Sequence, residues 1–203
     1  MRLTLMRHAA TEANLAHRYE GARTDSPLCE LGIEQCKRAS VPTSASTHKV
    51  YASTMQRAQQ TARLCFAHTQ VTVVPLLEEF DFGVFEGRAA AQMENDEQYR
   101  AWVQSGCVAP CPGGDALYDY TARTAHAMEE LLRAAFAHGD QEVVVVAHGG
   151  TIMAVLWELT APEYARQSPF DWHAPNCGGY QAGVRVGDNG VELVNPRAFG
   201  LSR

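Results

Sequence analysis

The stretch EVVVVAHGG, Glu142 to Gly150, decides the fold. Four consecutive valines leave no polar face to turn towards water, so the strand they form must be covered on both sides. Such strands sit in the middle of parallel sheets that carry helices on both faces. The run stops on His148, and a helical pattern follows from Thr151 to Leu159. In an open parallel sheet, ligands gather outside the carboxyl ends of the strands. His148 stands at such an end.

Two other stretches repeat the pattern. In LMRHAATEAN, Leu5 to Asn14, a strand from Arg2 to Met6 stops on Arg7 and His8. If it lies beside the valine strand, the two imidazoles share one crevice. In STMQRAQQTA, Ser53 to Ala62, Arg57 opens a helical pattern (Thr54 to Phe66) that follows a short strand from Lys49 to Ala52. Arg57 therefore belongs to the same edge.

Around these stretches, Cys29 to Ser40 reads as a helix and Val71 to Val74 as a strand stopped by Pro75. Arg88 to Gln104 is polar, Ala-rich and helical. Residues 105 to 115 hold two prolines and three glycines and read as a loop. Ala116 to His138 is a long helix, with Asp115 as N-cap and Gly139 just beyond its end. Tyr180 to Val186 and Val191 to Val194, joined by Gly-Asp-Asn-Gly, read as a hairpin. The alternation predicts an α/β three-layer sandwich with a mostly parallel central sheet. Residues 1–203 are expected to form a single domain, with 81–138 as a helical cap over one end of the sheet.

With 203 residues, 46% apolar and 20% charged, the chain has the composition of a globule with one good core. A net charge of -6 and the lack of a basic tract argue against nucleic acid. No apolar segment approaches a membrane span. Six scattered cysteines, at 29, 36, 65, 107, 111 and 177, read as reduced thiols, and the expected location is cytoplasmic. The acidic balance does not attract an anion from afar, so local cations must bind one.

Two guanidiniums and two imidazoles around one point repel each other unless an anion joins them, and the guanidinium fork matches phosphate oxygens. Positive neighbours disfavour imidazolium, so at least one histidine is expected to be neutral near pH 7. A neutral imidazole facing a clamped phosphate is a nucleophile. The leaving alkoxide needs a proton, and LLEEFDFGVFEG, Leu76 to Gly87, offers Glu78, Glu79, Asp81 and Glu86 in an apolar setting of the kind that raises a carboxyl pKa. Residue chemistry does not choose among the four.

These stretches resemble the histidine phosphatase superfamily, the phosphoglycerate mutase-like group. Arg7-His8 after a strand, Thr11 and Asn14 beyond it, the Arg57 helix, EFDFGVFEG and the late AHGG occur in the family's order over nearly the whole chain. The resemblance implies that His8 is phosphorylated. Arg7, Arg57 and His148 would hold the phosphoryl group, helped by Asn14, Thr11 and the Gly149 amide. It selects Glu79 as proton donor, four residues before the glycine matched by Gly83. It implies no metal and no cofactor. Within the superfamily MRLTLMRHAATEANLAHRYEG, PLCELGIEQ, QRAQQTARL, YRAW and VNPRAFG are similar to the α-ribazole phosphatase type. The implied partner is a small phosphorylated metabolite, α-ribazole 5′-phosphate or another. Ala9 replaces the family's usual Gly, Cys29 a common Thr, and Gly114-Asp115-Ala116 a more usual Gly-Glu-Ser.

Other readings remain beside this one: phosphoglycerate mutase-type transfer, a binuclear metallohydrolase built on His8, His148, Glu79 and Asp81, or a non-catalytic phosphate-binding module. No HExxH spacing supports the second. His17, His48, His68, His126, His138 and His173 read as surface or structural. Tyr99, Trp102, Phe80, Phe82 and Phe85 read as core.

Overall fold

A computed structural model describes residues 1–44, 49–188 and 190–200. His48 and the hairpin residue Asn189 lie outside the described residues. The valine strand, β4 (Glu142–Ala147), is buried along its whole length. It runs parallel to β1 (Arg2–Arg7), with Leu5 opposite Val145, and to β2 (Val50–Ser53), with Tyr51 opposite Val145. β3 (Val71–Val74) pairs in parallel with β2. β5 (Gly179–Gly187) runs antiparallel to β1, and β6 (Gly190–Phe199) antiparallel to β5. Among the described residues these six strands form one sheet in the order β3-β2-β4-β1-β5-β6. Its parallel part is the four strands that precede helices or carry the edge.

Strand alternation divides the core. Leu3, Leu5, Val143, Val145 and Ala147 face α5 (Leu117–Ala137) and α6 (Gly149–Leu159), meeting Met128, Leu132, Ile152 and Val155. Met6, Val50, Ala52, Val144 and Val146 face the other side, where α3 (Gln56–Cys65) brings Ala58 and Ala62. Successive strand residues point to opposite faces, so four valines in a row serve both cores. Burying each contributes about 1.5–3 kcal/mol. The short α1 (Glu12–Leu15) follows β1, and α2 (Glu30–Arg38) packs beside α3.

A third apolar cluster joins Phe80, Phe85, Met93, Trp102 and Cys111 to Tyr120 of α5 and Ala154 of α6. Only the first turns of α5 take part. Ala127, Met128, Leu132 and Ala135 lie in the main core, so the later half of α5 packs with the sheet. The expected Arg88 to Gln104 helix is broken into a 3-10 turn, Ala90–Met93, and α4 (Glu97–Gln104), because Asp96 caps α4 through the amides of Gln98 and Tyr99. Asp115 does not cap α5. Ala116 takes that position, and Asp115 accepts the Asp81 amide and pairs with Arg123.

The loop after β1 is locked from α2. The amide of Ala10 donates to Gln35 Oε1 at 2.9 Å, and the Cys29 thiol donates to Ala10 O at 3.3 Å. Gly32 makes that approach possible, since a Cβ there would lie 2.1 Å from Ala10 O. Gly32→Ala is expected to destabilise the fold by about 1–3 kcal/mol, whereas Arg38→Ala on the exposed face of the same helix stays within about 0.5 kcal/mol. Urea denaturation of both variants checks the contrast.

Candidate active site

β1, β4 and α3 deliver their charged residues to one place. His8 and His148 meet with ring centroids 5.2 Å apart, in T-shaped contact. His8, Arg57 and His148 are all buried, at 3%, 0% and 0% exposure. Both imidazoles are held well below the usual histidine range, first by burial and next by the Arg57 guanidinium. Arg7 acts on both in the same sense. The Arg7 guanidinium is itself pulled down by burial and supported by Glu79. Burial, helped by the crowd of cations, thus leaves both histidines neutral, where the sequence reading required at least one.

Hydrogen bonds then assign the ring atoms. His8 Nδ1 lies 2.8 Å from Ala9 O. A carbonyl only accepts, so Nδ1 carries the proton and Nε2 keeps its lone pair. Ala9, where the resemblance led to an expectation of glycine, is not among the residues with positive φ, so its Cβ causes no strain. Its amide donates to Thr61 Oγ1, which donates in turn to Arg57 O, tying the loop after β1 to α3. His148 Nε2 lies 2.8 Å from Ser53 Oγ at the end of β2.

Among the buried side-chain atoms without a hydrogen-bond partner in the described residues, three are nitrogens of this cluster: Arg7 Nε, Arg57 Nε and His148 Nδ1. Both guanidiniums are anchored through other nitrogens. Arg7 Nη1 donates to Ala174 O at 2.9 Å, and Arg57 donates to Thr24 O and Gly21 O at 2.7 and 3.1 Å. Orphaned donors in a buried site are costly unless something accepts from them. An oxyanion meets that requirement. Gly149, first residue of α6, backs onto Arg7; a Cβ there would lie 3.6 Å from Nε.

Thr11 and Asn14 are held by partners within the protein. Thr11 Oγ1 donates to Glu20 Oε2 at 2.5 Å, and Asn14 Nδ2 donates to the same oxygen at 3.1 Å. The Asn14 carbonyl oxygen accepts from Asn176, which also donates to His8 O. Both residues are bound into a support around Glu20, whose other oxygen lies 3.9 Å from Arg57 Nη1. Sequence reasoning missed Glu20, Ser53, Thr61 and Asn176. Ser53 ends a parallel strand, so the rule that found His8 and His148 could have found it. The others carry no periodic signal.

The structure also separates the four carboxylates. Glu78 accepts from Thr54, Asp81 pairs with Arg23, and Glu86 accepts from Thr24. Glu79 alone of the four lines the cavity beside Arg7 and Gly149. Its oxygens accept from the amides of Phe80 and Gly150 at 2.9 and 3.1 Å and from the Tyr120 hydroxyl at 3.3 Å. Burial and Glu79 push the Tyr120 phenol well up, so it remains a donor. A Cβ on Gly150 would strike Glu79 Oε1 at 2.1 Å, so only glycine admits the carboxyl here.

The histidine phosphatase superfamily (branch 1) model matches residues 3–196. The chain belongs to that superfamily. It is 30% identical to an adenosylcobalamin/α-ribazole phosphatase of Escherichia coli (strain K12), over 99% of this chain and 98% of that one. It is 33% identical to a 2,3-bisphosphoglycerate-dependent phosphoglycerate mutase of Methylocella silvestris, over 77% and 80% respectively. Among solved structures, the α-ribazole phosphatase from Shigella flexneri superposes with a TM-score of 0.74 at 26% identity, covering 100% of both chains. The fold is that of the phosphoglycerate mutase-like histidine phosphatases, and the chain is a phosphatase.

Two buried neutral histidines leave a thermodynamic signature. Their folded pKa values lie below the unfolded value near 6.5, so only the unfolded chain takes up these protons as the pH falls. Their contribution to stability is complete above about pH 6.5 and is lost progressively below it. The urea midpoint is expected to fall between pH 7 and pH 5. In a His8→Asn, His148→Asn double variant that fall should be smaller by up to two protons' worth of slope.

Proposed function

We propose that this protein is a metal-independent phosphomonoesterase that works through a phosphohistidine on His8. The observation that carries this is the set of three partnerless buried donors around a neutral imidazole whose Nε2 lone pair is free. A phosphate monoester dianion accepts from Arg7, Arg57 and His148, with the Gly149 amide alongside. When the Ser53 hydroxyl donates to His148 Nε2, the imidazole proton sits on Nδ1, the orphaned atom, and serves as the third donor.

His8 Nε2 attacks phosphorus. The new N–P bond forms as the ester P–O bond breaks, and protonated Glu79 gives its proton to the departing alkoxide. Glu79, now a carboxylate, takes a proton from water, whose oxygen attacks the phosphohistidine. The N–P bond breaks, its electron pair returns to Nε2, and phosphate leaves with Glu79 protonated again. Thr11, Asn14 and Glu20 act by holding Arg57 and the loop after β1. The helical segment between residues 81 and about 120 is the cap that shapes the alcohol site. The substrate is a small phosphorylated metabolite, and the relatives named for α-ribazole make α-ribazole 5′-phosphate the first candidate. The six unpaired cysteines fit a reducing, cytoplasmic setting.

Uncatalysed monoester hydrolysis is among the slowest of biological reactions, so electrostatic stabilisation must carry much of the rate. Arg57→Ala is expected to lower kcat by about 10²–10³-fold, the cost of one oxyanion donor. His8→Ala is expected to abolish an acid-labile, base-stable phosphoenzyme seen by rapid quench. Wild-type turnover of 4-nitrophenyl phosphate by His8→Ala would defeat the mechanism.

A further inference from the structure

The cavity that opens from Glu79 and Arg7 has a volume of about 370 Å³, within the range of small-molecule sites. Its wall is contributed by Phe80, Phe82, Trp102, Met153 and Phe170. The aromatic part is interlocked: Phe80 and Phe82 are 5.1 Å apart, Phe82 and Trp102 6.3 Å, and Phe82 and Tyr19 4.9 Å. The polar ends of these rings are occupied within the protein. Trp102 Nε1 donates to Ala109 O, the Tyr19 hydroxyl bonds to that of Tyr99, and the Tyr120 hydroxyl is bound to Glu78 O and Glu79. What these rings present to the cavity is ring surface.

Guanidinium charge is confined to one end. Among the described residues lining the cavity, Arg7 is the one guanidinium, there is no lysine, and the other basic side chain is the exposed His173 imidazole near Phe170. The neighbouring cations are already paired, Arg23 with Asp81, Arg88 with Asp96 and Arg123 with Asp115. Arg7 is committed to the phosphoryl site. A carboxylate on the substrate's alcohol that rests against the rings of Phe80, Phe82 and Trp102 would lie on a surface without a cation, which is strongly unfavourable. An uncharged ring would gain both apolar burial and aromatic contact.

Taking the proposed phosphatase chemistry as given, we infer that this protein selects phosphomonoesters whose alcohol bears an uncharged, apolar ring system and rejects those whose alcohol bears a carboxylate. Phe82, Trp102 and Phe170 are its specificity-determining residues. Phosphoglycerates and phosphoserine are thereby excluded as good substrates, although a mutase is among the relatives. Trp102 and Phe82, read from sequence as core, hold the cluster together on one side and face the ligand on the other.

Non-hydrolysable phosphonates test the subsite independently of His8 chemistry. Calorimetry on the wild-type protein would compare 3-phenylpropylphosphonate, propylphosphonate and 2-carboxyethylphosphonate. The phenyl compound is expected to bind on the order of 10²-fold more tightly than the carboxylate, with propylphosphonate between. Phe170 is half exposed on the turn Pro169–Trp172, so Phe170→Ala leaves the fold intact. It should weaken the phenyl compound by about 5–10-fold and leave propylphosphonate unchanged. Met153→Lys, which adds a cation to the wall, should reverse part of the preference against the carboxylate. Equal or tighter binding of 2-carboxyethylphosphonate by the wild type would overturn the inference, as would an equal loss of both ligands in Phe170→Ala. Discrimination among phosphonates in a protein that forms no phosphoenzyme would uphold the subsite and refute only the phosphohistidine mechanism.

Discussion

The structure turns on confining two guanidiniums and two imidazoles in one buried place. Left alone, that arrangement repels itself, and each charged group loses its hydration. Three devices make it tolerable. The imidazoles give up their charge, driven by burial and by Arg57. Arg57 is surrounded by backbone carbonyls and by Glu20. Arg7 has Glu79 near it and Ala174 O as an acceptor. Even so, one nitrogen on each guanidinium and one on His148 remain without a partner. The protein satisfies enough of the cluster to fold and leaves the donors that an oxyanion completes.

The sheet makes this confinement possible. Parallel strands send their carboxyl ends to the same edge, so β1, β2 and β4 deliver His8, Ser53 and His148 there without any long-range coding beyond strand order. Arg57 arrives from the helix after β2. The valine run specifies which strand is central, and centrality places His148 between β1 and β2. Packing and chemistry are thus set by the same six residues, and a loss of burial on either face of β4 moves the site.

That coupling explains what could be read in advance. β4 and β3 were legible to the residue, and β1 to within one, because period and β-branching are local signals. His8, Arg7, Arg57 and His148 were legible as a group because each stands beside a strand end. Thr11 and Asn14 were legible as neighbours of the site but not as partners of Glu20, since a contact between residues 11 and 20 across a loop leaves no periodic trace. The choice among four carboxylates was equally hidden. It depends on which of them the Gly150 amide and Tyr120 hydroxyl reach, from sequence separations of 71 and 41. The single break in the helix expected between residues 88 and 104 follows from Asp96, a capping residue inside an otherwise helical composition.

The aromatic residues show the deeper limit. Hydrophobic spacing tells that a ring is buried but not what buries it. Phe85 and Trp102 belong to the same cluster and carry the same signal, yet Trp102 also lines the cavity beside Glu79 and Phe85 does not. The distinction matters because charge and apolar surface are divided so sharply here. In the proposed reading the guanidiniums of Arg7 and Arg57 lie at the base, where phosphate oxygens would bind, and neither lies on the aromatic wall that would receive the alcohol. A site built this way recognises every phosphate ester with the same strength at its base. Discrimination between esters therefore falls to the wall, where the cost of stranding a charge exceeds the gain from any single contact.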